Sequence, residues 1–168
     1  MKRTTKKLAR HRVTPFLWYD GQAEEAARHY VSVFEAGSRV MSVSPMSVTF
    51  ELEGQPFIAL NGGPMFRFSE ALSLFVHCED QREVDHYWQR LGEGGTPGRC
   101  GWLKDRWGLS WQVVPRALQT YLGGADKEGA RRAMEAMLGM GKLDVKKLRE
   151  AYEGKGKGVA KTPRKRSR

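Results

Sequence analysis

Few side chains in this sequence have the chemistry for a reaction, and they are widely spaced. There are four histidines and two cysteines. His11 lies in a basic stretch, His29 and His86 fall in runs with helical spacing, and only His77 sits on a segment that reads as a strand. Strand alternation puts Ser73, Phe75 and His77 on one face of that segment and Leu72, Leu74 and Val76 on the other. A later strand places Ser110, Gln112 and Val114 opposite Leu109, Trp111 and Val113, and an earlier one gives Phe57, Ala59 and Asn61 a common face. If the purely apolar faces pack under helices, the mixed faces line a cavity. Its polar anchors are then Asn61, Ser73, His77 and Gln112, with Phe75 in the wall, a composition suited to a small organic ligand.

None of these residues is assigned a catalytic role. Each also has a purely structural use. His77 fits a hydrogen-bonded interior histidine, Gln112 a bond to a neighbouring strand, and Asn61, just before Gly62-Gly63-Pro64, an Asx-type turn. Cys100 is open between a reactive thiol and a buried inert one.

The elements that must position these residues occur twice. Residues 14–19 form a β-branched and aromatic strand, and Asp20 stands where a helix cap is expected. Ala23, Ala26, Ala27, Tyr30 and Phe34 then recur at helical spacing, and Gly37 stops the helix. Strands follow at 39–44, 47–52 and 56–61, the last two joined by the turn Glu53-Gly54-Gln55. The plan repeats with a strand at 72–78, a cap at Glu79-Asp80, and a helix carrying Val84, Tyr87, Trp88 and Leu91. A glycine-rich link (92–98) leads to strands at 100–104 and 109–114 around the turn Asp105-Arg-Trp-Gly108. The pattern predicts an α+β fold of two tandem βαβββ modules with eight main strands over 14–115. A helical appendage follows at 116–153, with helices at 125–138 and 145–152.

The formal charge of +10 suggests nucleic acid, but its distribution argues otherwise. The segments 1–13 and 154–168 carry thirteen basic residues and no acidic one, which leaves the middle of the chain mildly acidic. Both segments lack apolar content, so they are expected to be disordered basic tails. Two readings of them stay open: solubilising tails, or weak, non-specific, salt-sensitive contact with nucleic acid. No apolar run suits a membrane span, no secretory signal is apparent, and the cysteine count is ordinary for a reducing cytoplasm, so a cytoplasmic protein is expected.

Three segments carry a resemblance: Pro15-Phe-Leu-Trp-Tyr-Asp-Gly-Gln-Ala-Glu-Glu-Ala26, Ala59-Leu-Asn-Gly-Gly-Pro64, and Cys100-Gly-Trp-Leu-Lys-Asp-Arg-Trp-Gly-Leu-Ser-Trp-Gln-Val-Val-Pro115. With the stretch from Met134 to Tyr152, they resemble the PhnB-like group of the glyoxalase/bleomycin-resistance proteins, in the vicinal oxygen chelate superfamily. The resemblance implies sheets curved around a small-molecule pocket and a homodimer. In active members it also implies one divalent metal held by His, Glu or Gln from four strands. Matched position by position, Gln112 falls where Glu is usual, Ser73 where His is usual, and Asn61 near an expected carboxylate, while the first strand offers no ligand before Asp20. No metal and no cofactor is therefore expected, and no glycine-rich turn of dinucleotide or S-adenosylmethionine type is present. The favoured function is binding of a small hydrophobic or aromatic molecule. The alternatives are a metal-dependent lyase, isomerase or dioxygenase, and a dimeric scaffold with polyanion-binding tails.

Overall fold

The computed structural model describes residues 11–155. The expected basic tails therefore lie almost wholly outside the described residues. The first module runs β1 (Phe16–Tyr19), α1 (Ala23–Phe34), β2 (Arg39–Val43), β3 (Ser47–Leu52) and β4 (Gln55–Asn61). The second runs β5 (Ser73–Cys78), α2 (Gln81–Gly92), β6 (Thr96–Pro97), β7 (Trp102–Lys104) and β8 (Ser110–Pro115). Each builds a four-stranded mixed sheet of the same topology, β1-β4-β3-β2 and β5-β8-β7-β6. In each, the first and last strands pair in parallel and the rest are antiparallel. The eighth strand, β6, lies within the glycine-rich link. It is only two residues long and has no apolar alternation to announce it.

The two helices meet in the middle of the molecule. His86 Nε2 donates to the Val33 carbonyl and His29 Nε2 to that of Arg90, both at 3.0 Å, so each helix ties its histidine to the last turns of the other. A carbonyl can only accept, so Nε2 carries the proton of each bond. Phe34 stacks on Tyr87 with centroids 5.0 Å apart. The core is continuous across both modules, from Leu17, Val48, Phe50 and Ala59 of the first sheet to Val76, Trp111 and Val113 of the second. Neither module alone buries enough apolar surface for secure stability, so they share one core.

Four local expectations are corrected. Asp20 does not cap α1: the N-cap is Gln22, whose side chain makes no cap bond. The Ala23 N–H is instead accepted by Asn61 Oδ1 at 2.9 Å, from the end of β4, a partner no local pattern reveals. Phe57 and Ala59 line no cavity; they are buried in the core on the helix side of the first sheet. Leu72 does not pack under a helix but lies ahead of β5, 55% exposed. The appendage holds three helices, not two: α3 (Ala117–Leu122), α4 (Lys127–Leu138) and α5 (Val145–Tyr152).

The appendage is fixed to the second module. Cys100 and Gly101 N–H groups donate to the Met140 and Gly141 carbonyls, both at 2.8 Å. Gln81 bridges the Leu143 carbonyl and the Val145 N–H. Leu118, Leu143 and Leu148 close over Val114 in a second, smaller core. No helix among the described residues is long and apolar enough to cross a membrane.

Candidate functional site

Strand pairing sorts the sequence candidates by face. Leu74 lies opposite Trp111 and Val76 opposite Val113, all core residues or packed on the core. The alternate positions, Ser73, Phe75, His77 and Gln112, therefore share the outer face of the second sheet. Gln112 Nε2 donates to Ser73 Oγ at 2.8 Å, and the Phe75 and His77 rings lie 4.7 Å apart. Phe75 is 45% exposed. Ser110 follows the same alternation but is fully buried, and its hydroxyl has no hydrogen-bond partner among the described residues.

Asn61 does not join them. It pairs in register with Tyr19, a buried residue, and so belongs to the inner face of the other sheet. Its Oδ1 caps α1 and its Nδ2 donates to the Pro45 carbonyl at 3.1 Å. Both ends of the amide hold backbone, which is a structural use.

The metal implied by the sequence resemblance finds no donor set here. The outer-face positions on the four relevant strands include Phe16 and Trp18 of β1, Ile58 and Leu60 of β4, and Ser73, Phe75, His77 and Gln112. They supply one imidazole and no carboxylate, whereas a divalent site of this kind needs several imidazole or carboxylate ligands. Among the described residues no group of three or more His, Cys, Asp or Glu side chains is arranged to hold an ion. These residues do not fit the metal.

A second feature was not foreseen from the sequence. Where the modules meet, a cleft of about 500 Å³ is lined by β1, the 62–68 segment and the β7–β8 hairpin. Trp18 forms one wall, its indole N–H donating to the Gly63 carbonyl at 2.8 Å and its ring edge-on to Phe66 at 5.0 Å. Gly62 makes room for this indole, since a Cβ there would lie 2.2 Å from the Trp18 ring. Trp107 and Arg106 enter from the hairpin, with the Arg106 guanidinium 5.2 Å from the Trp107 ring centroid. Arg67 and Lys104 join Arg106 and Asp20 on the rim, and Lys104 and Arg106 are paired with Glu70, Glu25 and Glu93. The available signal was the combination of aromatic residues with glycine in Trp18-Tyr-Asp-Gly21, Asn61-Gly-Gly-Pro64 and Asp105-Arg-Trp-Gly108. All three stretches contribute to this cleft.

The hairpin is held from below by Asp105. Its carboxylate is 4% exposed and accepts from the Trp107 and Leu109 N–H groups, from Trp111 Nε1 at 2.8 Å and from Tyr30 Oη at 2.6 Å. The Tyr30 hydroxyl lies 3.2 Å from that of Tyr19 in β1. One chain of polar groups thus joins β1, α1 and the hairpin across the module boundary. Burial raises the Asp105 carboxyl, opposed by these donors, with Tyr30 the strongest.

The two thiols differ in environment. Burial pushes Cys78 up to about 12, while Cys100 is only half-buried in the turn before β7. Since the thiolate is the reactive form, titration of native protein with a disulfide reagent at pH 8 is expected to modify Cys100 alone. Cys78 should react only after denaturation.

The comparisons agree with this architecture. The family model described as 3-demethylubiquinone-9 3-methyltransferase matches residues 11–114. A solved structure titled as a putative 3-demethylubiquinone-9 3-methyltransferase, PhnB protein, from Bacillus cereus is 32% identical, with 62% of this chain and 99% of that one covered and a TM-score of 0.58. The structure of protein PA1353 from Pseudomonas aeruginosa is 18% identical, covering 62% and 97% of the two chains, with a TM-score of 0.53. No curated protein matches the chain.

Proposed function

This chain belongs to the PhnB-like family described as 3-demethylubiquinone-9 3-methyltransferase, and on that premise we propose that it is a metal-independent binding protein for a small hydrophobic or aromatic molecule. The ligand lies on the outer face of the second sheet, where Phe75 supplies an apolar surface and the Ser73–Gln112 pair and His77 supply polar anchors. A second copy of the chain covers this face in a homodimer. The observation that supports the reading is the composition of the two outer faces. They expose Phe16 at 56% and Phe75 at 45% and carry a single imidazole. Apolar surface of this kind marks an interaction or ligand site, and the residue set does not suit metal chemistry.

The family description names a methyl transfer. Neither strand-to-helix turn, Asp20-Gly21-Gln22 or Glu79-Asp80, has the glycine-rich form that cradles a nucleotide cofactor, and methyl transfer forms no part of the proposal.

The test is metal content together with ligand capture. Protein purified without chelator is expected to hold well below one equivalent of zinc, nickel, manganese or iron, and to retain a small molecule detectable by mass spectrometry. For that molecule, Gln112→Ala should weaken binding by about 1–2 kcal/mol, the range for a lost neutral hydrogen bond with some desolvation. Stoichiometric metal bound through His77 or Gln112 would replace this reading with the metalloenzyme one.

A further inference from the structure

We propose that the cleft at the module junction is a second binding site, and that it takes a planar aromatic molecule bearing a carboxylate. This goes beyond the function above, since none of Ser73, Phe75, His77 or Gln112 lines the cleft. Its volume of about 500 Å³ is that of a small-molecule site.

The walls are aromatic and held in place before any ligand arrives. Trp18 is fixed by its bond to the Gly63 carbonyl and by its passage over Gly62. Trp107 is set edge-on against His29 at 5.4 Å and Tyr30 at 5.5 Å, and its backbone is held by the Asp105 carboxylate. Rings held this rigidly lose little entropy when another ring packs against them.

The rim selects charge. Lys104 is engaged by Glu70 at 2.6 Å, and Arg106 is shared between Glu93 at 3.4 Å and Glu25 at 3.9 Å. Arg67 lines the same cleft and makes no ion pair among the described residues. Its guanidinium, with donors in a planar fork, matches a carboxylate in two-point geometry. Phe66, next to Arg67 and 58% exposed, supplies an apolar surface beside the charge. A neutral ring would leave the Arg67 fork unpaired, and a simple inorganic anion would leave the indoles uncovered.

Calorimetric titration of the full chain with 2-naphthoate, and separately with 2-naphthamide, tests the assignment. The expected result is saturable naphthoate binding, at least tenfold weaker binding of the amide, and a loss of at least tenfold in Arg67→Ala with partial recovery in Arg67→Lys. Arg67 is exposed, so these variants should melt with the wild type. Arg28→Ala, on an exposed part of α1 outside the cleft, should bind naphthoate normally, so that a loss confined to Arg67 marks the site. Absence of saturable binding, equal binding of acid and amide, or wild-type affinity in Arg67→Ala would each overturn the proposal. Loss in Gln112→Ala with Arg67→Ala unchanged would do the same, by moving the ligand to the sheet.

Discussion

Replacing Asp105 by Ala is expected to lower the free energy of unfolding by about 4 kcal/mol, the range for removing one partner from a buried polar network. The carboxylate serves four donors at once, and its loss leaves the Tyr30 hydroxyl, the Trp111 indole N–H and two hairpin N–H groups without it. Urea denaturation reads the effect as a lower midpoint with an unchanged slope. Asp105→Asn keeps the shape and some of the bonds, and should cost about half as much. Its pH dependence has a definite sign. Because burial raises the folded-state carboxyl above its unfolded value, the stability contributed by the protonated form is fully present below the unfolded pKa and declines as pH rises through the folded one. The advantage of wild type over Asp105→Asn should therefore narrow as pH climbs above the ordinary carboxylate range. An advantage that widens over that interval would show that the four donors outweigh burial.

Gly62→Ala is the second large effect. The added Cβ would lie 2.2 Å from the Trp18 ring, a distance no relaxation of a few tenths of an ångström accommodates. The indole must swing away, breaking its bond to the Gly63 carbonyl and its edge contact with Phe66. A destabilisation of about 3 kcal/mol is expected, at the upper end for overpacking. Trp18 emission should change and naphthoate binding should fall. Gly63→Ala is the contrasting case: nothing lies within 4 Å of a Cβ there, and the cost comes from its φ of +82° alone. If Gly62→Ala matched wild type in stability and emission, the close passage of Trp18 over this glycine would be wrong.

The larger architecture was legible because its signals are local. Alternation marked β3 to within its final bounds, Asp80 was recognisable as a cap and accepts from the Arg82 and Glu83 N–H groups, and α5 began after Asp144 as its composition required. Short elements were missed or blurred. β6 has two residues and α3 six, too few for a period to repeat. Alternation put Ser73, Phe75 and His77 on one face, but it cannot say which face of a sheet meets the helices: in β4 the mixed face of Phe57, Ala59 and Asn61 turns inward and the apolar Ile58 and Leu60 turn outward.

Asn61 and Trp18 show where that boundary falls. By itself the sequence determined two βαβββ modules, their order, and the side chains that share each face, because period-two alternation, caps and turn glycines act over a few residues. It could not determine that Asn61 faces inward to cap a helix beginning 38 residues earlier, nor that Trp18 crosses Gly62 to open a cleft facing Arg67 and Trp107. Those placements depend on strand register and on the packing of one module against the other. Both are set by burial of a shared core spanning the chain, and not by any local run of residues.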